Sequence, residues 1–287
     1  MKFSILQQDL LLPLQSVARS VGVRSTLPVL DNILLSVEGK KLKIAATNLE
    51  IGVIKYVSVL EGTEGEITVP AKTLVELISG LGQSKLTLAS EGEILTIQSG
   101  KFKASINGIS ASEFPAIPVS SEKGINFPKE VFLTSSQILF AAAVDEDRPV
   151  LTGILTEVKD SKMDFVATDG FRLAHRQVSL PKGSTPFKSL IPRRTFEEIL
   201  RIISEQEVDS INISTSENQN QVVFTLGQTI VSSRLIEGQF PAWEKIVPTQ
   251  IVGRAMIDKD GLLKAIKLAA IFAKNEANIV VLTTSKG

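Results

Sequence analysis

Asp169, His175 and Ser179 fall within one short stretch of the chain, and an acid, an imidazole and a hydroxyl are the parts of an acid–base or nucleophilic centre. His175 is the single histidine and there is no cysteine. A Cys/His pair and a soft-ligand metal site are therefore excluded, and any triad would depend on one imidazole. The glycine-containing segments Val21-Gly22-Val23-Arg24 and Gly80-Leu81-Gly82 lack the Lys-Ser/Thr that completes a phosphate-cradling loop. An enzyme using Asp169 and His175 is the weaker reading. The expectation is no catalytic residue, no metal and no cofactor.

Composition points the same way. Lys plus Arg number 31 and Asp plus Glu 31, so no bulk field draws the molecule onto a polyanion, and any nucleic-acid contact must come from local placement of charge. With 43% hydrophobic and 22% charged residues the chain reads as globular, and no apolar run of about 18 residues is present to span a bilayer. The opening MKFSILQQDL lacks the apolar stretch of a secretion signal, which with the absence of cysteine gives a cytoplasmic expectation and no membrane partner.

The elements that must position these residues repeat. A shift of 121 residues lays Pro28-Val29-Leu30 over Pro149-Val150-Leu151 and Ala46-Thr47-Asn48 over Ala167-Thr168-Asp169 without a gap. Nine of the 21 pairs from 28–48 against 149–169 are identical, where unrelated sequences would share roughly one or two. The shift also puts Asn48 at the place of Asp169, which counts against a catalytic carboxylate there. Val69-Pro70-Ala71 answers Ile191-Pro192-Arg193, and Phe114-Pro115-Ala116 answers Phe240-Pro241-Ala242. Asp260-Gly261-Leu262-Leu263 starts a third copy, with Ile279 to Thr284 at the place of its first strand.

Within a repeat, helical spacing of Leu6, Leu10, Leu14 and Val17 precedes alternating strands at 33–37 and 41–45 around Glu38-Gly39-Lys40. A second helix starts after Pro70 and stops at Gly80, followed by strands at 85–89 and 94–98. Ser136-Gln137-Ile138-Leu139 marks the matching opening helix in the second repeat. The fold class expected is α+β: tandem domains, each with two helices packed on antiparallel sheets. The domains run 1–120 and 127–246, with 247–287 an incomplete third, and Pro/Ser-rich boundaries at 115–128 and 241–248.

Several stretches together resemble the family of bacterial DNA polymerase III beta subunits, the sliding clamps. They are Met1-Lys2-Phe3, Arg24 to Leu30, Arg148 to Gly153, Ala167 to Ala174, Ile191-Pro192-Arg193 and Glu237 to Pro241, and the resemblance spans the whole chain. It implies a non-catalytic processivity factor, cut short in its third domain, that encircles duplex DNA irrespective of sequence. It also implies homodimer rings at full length, and partners that dock through short peptides: the polymerase III alpha subunit and the clamp loader. The alternative is a repeat-built peptide-binding scaffold with no DNA role.

Carried onto this sequence, the resemblance places Arg24, Arg148, Arg193 and Arg194 on a DNA-facing surface, where a guanidinium holds phosphate without reading a base. Lys264 and Lys267, with Lys274, form a stripe within about 80 degrees on a helix advancing about 100 degrees per residue. The implied partner-peptide pocket comprises Leu151, Thr168, Gly170, Phe171, Arg172, Leu173, Pro241, Lys245 and Ile246. The implied dimer edges carry Ala104 and Ile106 on one side and, as the nearest match, Ile271 and Phe272 on the other. A third unit of about 40 residues is expected to fray or lean on its neighbour.

Overall fold

The computed structural model describes residues 1–22, 27–119, 124–145, 147–215, 220–251, 253–274 and 279–283. The first repeat contributes β1 (Lys2–Leu6), α1 (Gln7–Ala18), β2 (Asn32–Glu38), β3 (Lys41–Thr47), β4 (Ile51–Ser58), β5 (Glu61–Thr63), β6 (Gly65–Pro70), α2 (Ala71–Gly80), β7 (Lys85–Glu91), β8 (Ile94–Ser99) and β9 (Phe102–Asn107). The second contributes β10 (Ile125–Pro128), α3 (Lys129–Leu133), β11 (Gly153–Lys159), β12 (Lys162–Thr168), β13 (Leu173–Ser179), β14 (Phe187–Pro192), α4 (Arg193–Glu205), β15 (Ser210–Thr215), β16 (Gln221–Leu226) and β17 (Thr229–Arg234). The order of elements is the same apart from the short β5. The α+β reading holds.

Among the described residues every strand pair is antiparallel, in three sheets ordered β5-β1-β7-β8-β9, β10-β15-β16-β17-β4-β3-β2-β6 and β13-β12-β11-β14. The eight-stranded sheet crosses from one repeat to the other where β17 pairs β4, with Thr229 opposite Lys55, Val231 opposite Val53 and Ser233 opposite Ile51. Helices α1 and α2 pack together over the first repeat, and α3 against α4 over the second. The first core is mostly aliphatic, with Leu10, Leu14, Ile33, Leu35, Leu74 and Ile78 fully buried. In the second repeat, Phe132 sits among Phe127, Phe165, Phe196 and Phe224 at centroid distances of 6.0 to 6.5 Å.

Charged groups also bridge the junction. Arg201 on α4 pairs with Glu198 and Glu205, and its Nη1 lies 3.4 Å from Ser16 Oγ on α1. Arg19, just past α1, reaches Glu205 at 3.1 Å. Partial burial raises the pKa of Glu205, but its bonding to Arg201 and the nearby charges of Arg19 and Lys55 outweigh that and hold it below the usual carboxylate value.

Three expectations are corrected. The opening helix of the second repeat is broken: α3 ends at Leu133 and gives way to 3-10 turns at Thr134–Gln137 and Leu139–Ala141. Thr134, Ser135 and Ser136 each donate a hydroxyl hydrogen bond to the carbonyl three residues back, and three consecutive side chains competing for backbone acceptors tighten the chain out of the α geometry. Ile271 and Phe272, implied as a dimer edge, offer no strand edge: they lie on α5 (Lys259–Ala273), the helix expected from the lysine stripe, whose Lys, Leu, Ala and Ile favour helix and whose N-cap Asp258 accepts from Gly261 N. Finally, residues 279–283 form no strand, since no described strand is there to pair with them.

The chain divides into two compact units, Met1–Phe240 and Pro241–Gly287. In the second, α5 leaves Leu263, Leu268, Ile271 and Phe272 exposed and buries Ala273. Among the described residues no helix is long and apolar enough to cross a membrane.

Candidate functional site

The best-defined local geometry lies in the turn from β12 to β13, and it starts with Thr168. Its hydroxyl donates to the Arg172 carbonyl at 2.7 Å and accepts from Gly170 N at 3.1 Å. Asp169 Oδ1 accepts from the backbone N–H of Phe171 at 2.9 Å and of Arg172 at 3.0 Å, while Oδ2 accepts from Arg172 Nε at 2.9 Å. Those backbone N–H donors, with the adjacent guanidinium, hold the Asp169 pKa below the ordinary carboxylate value. Gly170 takes φ of 92°, a conformation that suits glycine. The first repeat folds the same turn: Thr47 donates to the Ile51 carbonyl, and Asn48 Oδ1 accepts from Glu50 N and Ile51 N. An amide oxygen serves there as the carboxylate does here, so this is a turn-forming residue type.

Asp169 is thus committed to its own turn, and His175 is engaged elsewhere: its Nε2 lies 2.6 Å from Asp164 Oδ1. The turn instead presents side chains. Phe171 is 95% exposed, and the Arg172 guanidinium stacks over the Phe140 ring at 5.7 Å. Arg148 joins them, with Nη2 donating to the Asp169 carbonyl at 3.0 Å. Of the pocket residues named from sequence, Thr168, Gly170, Phe171, Arg172 and Leu173 come together here. Thr168 spends its hydroxyl on the turn, Leu173 is half-buried, and Leu151 is a core side chain, 5% exposed. Pro241, Lys245 and Ile246 belong to the second unit, in and around a 3-10 turn at Trp243–Lys245, with Lys245 and Ile246 exposed. Phe140 was missed because sequence spacing put it in a regular helix; the break at Thr134–Ser136 turns it outward.

The cationic candidates are spread over the chain. Arg24 lies outside the described residues. Arg193 opens α4, with its N–H donated to the Thr152 carbonyl and its Nε paired to Glu197 at 2.8 Å, while Arg194 is exposed. These two line a cleft of about 480 Å³ shared with Arg234, a third arginine that no motif in the sequence marked. Lys264 and Lys267 are exposed on α5, in the second unit. On β9, an edge of its sheet, Ala104 is half-buried and Ile106 points into the core, so that edge offers backbone groups and the side chains of Phe102, Lys103 and Ser105. No cluster of three His, Asp or Glu side chains suited to a metal occurs among the described residues.

Comparison with known proteins is consistent along the chain. The profile of the DNA polymerase III beta subunit, N-terminal domain, matches residues 1–118, and that of its central domain matches residues 128–242. The beta sliding clamp of Synechocystis sp. is 31% identical over 308 residues, covering 99% of this chain and 78% of that protein. The beta sliding clamp of Pseudomonas aeruginosa is 30% identical, over 100% and 79%. Among solved structures, the DNA polymerase sliding clamp of Bacillus subtilis aligns with a TM-score of 0.90 at 25% identity, over 96% of this chain and 74% of that one. A P. aeruginosa sliding clamp bound to griselimycin aligns at 0.86 and 30% identity, over 94% and 74%. Sequence and fold agree from the first repeat through the second, and the chain belongs to the DNA polymerase III beta subunits, the bacterial beta sliding clamps.

Proposed function

We propose that this sliding clamp works by enclosing duplex DNA and tethering a polymerase to it, without a catalytic step of its own. The observation that carries the reading is the β17–β4 pairing. A shift of about 122 residues takes β4 onto β13, and one of 127 takes β9 onto β17. β13 and β9 are edges, whereas their counterparts are paired within the chain. Each end of the two-repeat unit therefore shows an edge of the kind that already joins repeat to repeat. Successive additions of that kind extend a row of modules, and closure makes a ring.

In this reading Arg24, Arg148, Arg193, Arg194, Lys264 and Lys267 meet phosphates weakly and without regard to base sequence, as sliding requires. Phe171, Arg172 and Leu173 receive short peptides from the polymerase alpha subunit and the clamp loader. Two protomers close through the β9 edge, in the cytoplasm. The test is retention after loading on nicked circular duplex DNA, compared with the same DNA linearised. Retention on the circle and release from the linear form is the expected result. Equal retention on both would show that grip, not enclosure, holds the DNA.

A further inference from the structure

The cleft at the junction of the repeats has a lining that suits a further ligand besides the phosphates proposed for Arg193 and Arg194. Its apolar walls include Ile51 from the first repeat and Val144, Leu235 and Ile236 from the second. Its charges are Arg193, Arg194 and Arg234 against Glu50 and Glu197. Glu197 neutralises Arg193 at 2.8 Å, and among the described residues no carboxylate pairs with Arg194 or Arg234. Arg194, Arg234 and Glu50 thus line the cleft beside apolar side chains, with no ion pair among the described residues.

The walls are fixed before any ligand arrives. Arg234 N donates to the Glu50 carbonyl at 2.8 Å and Ile236 N to the Leu190 carbonyl at 2.9 Å, which pins the segment leaving β17 to both repeats. A Cβ on Gly153 would stand 2.8 Å from Ile236 Cδ1, so glycine there lets the wall close down. A volume of about 480 Å³ lies within the range of pockets that take small ligands or a few side chains. Phosphate contact through the arginines leaves the apolar residues and Glu50 unused. A peptide carboxylate meets the arginines, a bulky apolar side chain packs on the apolar walls, and a backbone N–H can donate to Glu50.

We propose that this cleft is a second partner-binding site, taking a short acidic peptide segment with a bulky apolar side chain, separate from the Thr168–Leu173 turn. Whether the protein encloses DNA does not bear on it. The probe is a fluorescein-labelled, end-capped Gly-Asp-Asp-Leu-Phe-Gly peptide, titrated by anisotropy with the whole chain in low salt and without DNA, with hydrogen exchange mapping where it lands. The expected results are saturable binding, at least tenfold weakening by R194E/R234E, similar weakening when both peptide aspartates become asparagine, and protection at 192–197 and 234–236. Thermal unfolding checks that the variant folds; if it does not, the milder R194Q/R234Q pair is read instead, with at least threefold weakening expected. Absence of binding overturns the proposal, as does protection confined to 168–173. Loss of 20-base-pair duplex binding by the variant with unchanged peptide binding also overturns it, and gives the arginines to DNA.

Discussion

Replacing Arg201 with alanine tests the half-buried charge network that α4 carries at the junction of the two repeats. The Arg201 side chain is 17% exposed and that of Glu198 12%, so this pair is close to buried, while Glu205 is 36% exposed. Removing one partner of a buried pair costs about 3–5 kcal/mol because the other charge stays desolvated, whereas an exposed pair contributes at most about 1 kcal/mol. Residual water access at Glu198 reduces the first figure, and we expect R201A to destabilise the Met1–Phe240 unit by about 2–3 kcal/mol. For a unit of this size that lowers the unfolding midpoint by roughly 4–12 °C, measured by circular dichroism alongside urea unfolding at 25 °C. E198Q/R201M leaves no unpaired charge at that position and should recover at least half of the loss. A change below about 0.5 kcal/mol for R201A, the level of ordinary surface substitutions, would refute the reasoning. So would a double variant less stable than R201A.

Further outcomes follow from other elements. D169N should keep the turn, since Asn48 supports its counterpart, while D169A should cost about 1 kcal/mol by leaving two backbone N–H groups without their acceptor. The folded Asp169 pKa is depressed, so its contribution is present above the unfolded carboxylate value and lost as pH falls through the folded one; comparison of wild type and D169N in acid titrations of stability should show that loss only in the wild type. G153A forces a Cβ to within 2.8 Å of Ile236 and Leu190 and should cost about 1–3 kcal/mol in urea unfolding. F132A removes the centre of a five-ring cluster, fully buried, and should cost about 3–5 kcal/mol, read from the same titration.

The sequence by itself determined the repeat, the fold class and most of the regular elements. Glycines at 39 and 92, with φ of 59° and 55°, mark hairpin turns where alternation breaks, and Pro70 and Pro192 start helices where period two changes to helical spacing. These are local signals, and neighbours in sequence suffice to set them. The pairing of β17 with β4 is another matter. Alternation tells a strand which face is buried but not which free edge it will meet, and these strands lie far apart in the chain. The cleft residue Arg234 follows from that pairing, because only the joined sheet brings it beside α4. The break in the opening helix of the second repeat was legible in principle, as three hydroxyl side chains in a row, yet helical spacing outweighed them. At the β12–β13 turn, Asn48 at the matching place already counts against a catalytic Asp169, and the structure gives the reason: its Oδ1 accepts from the N–H groups of Phe171 and Arg172. Residue type proposes a chemistry, and only three-dimensional partners decide whether an atom is free to perform it.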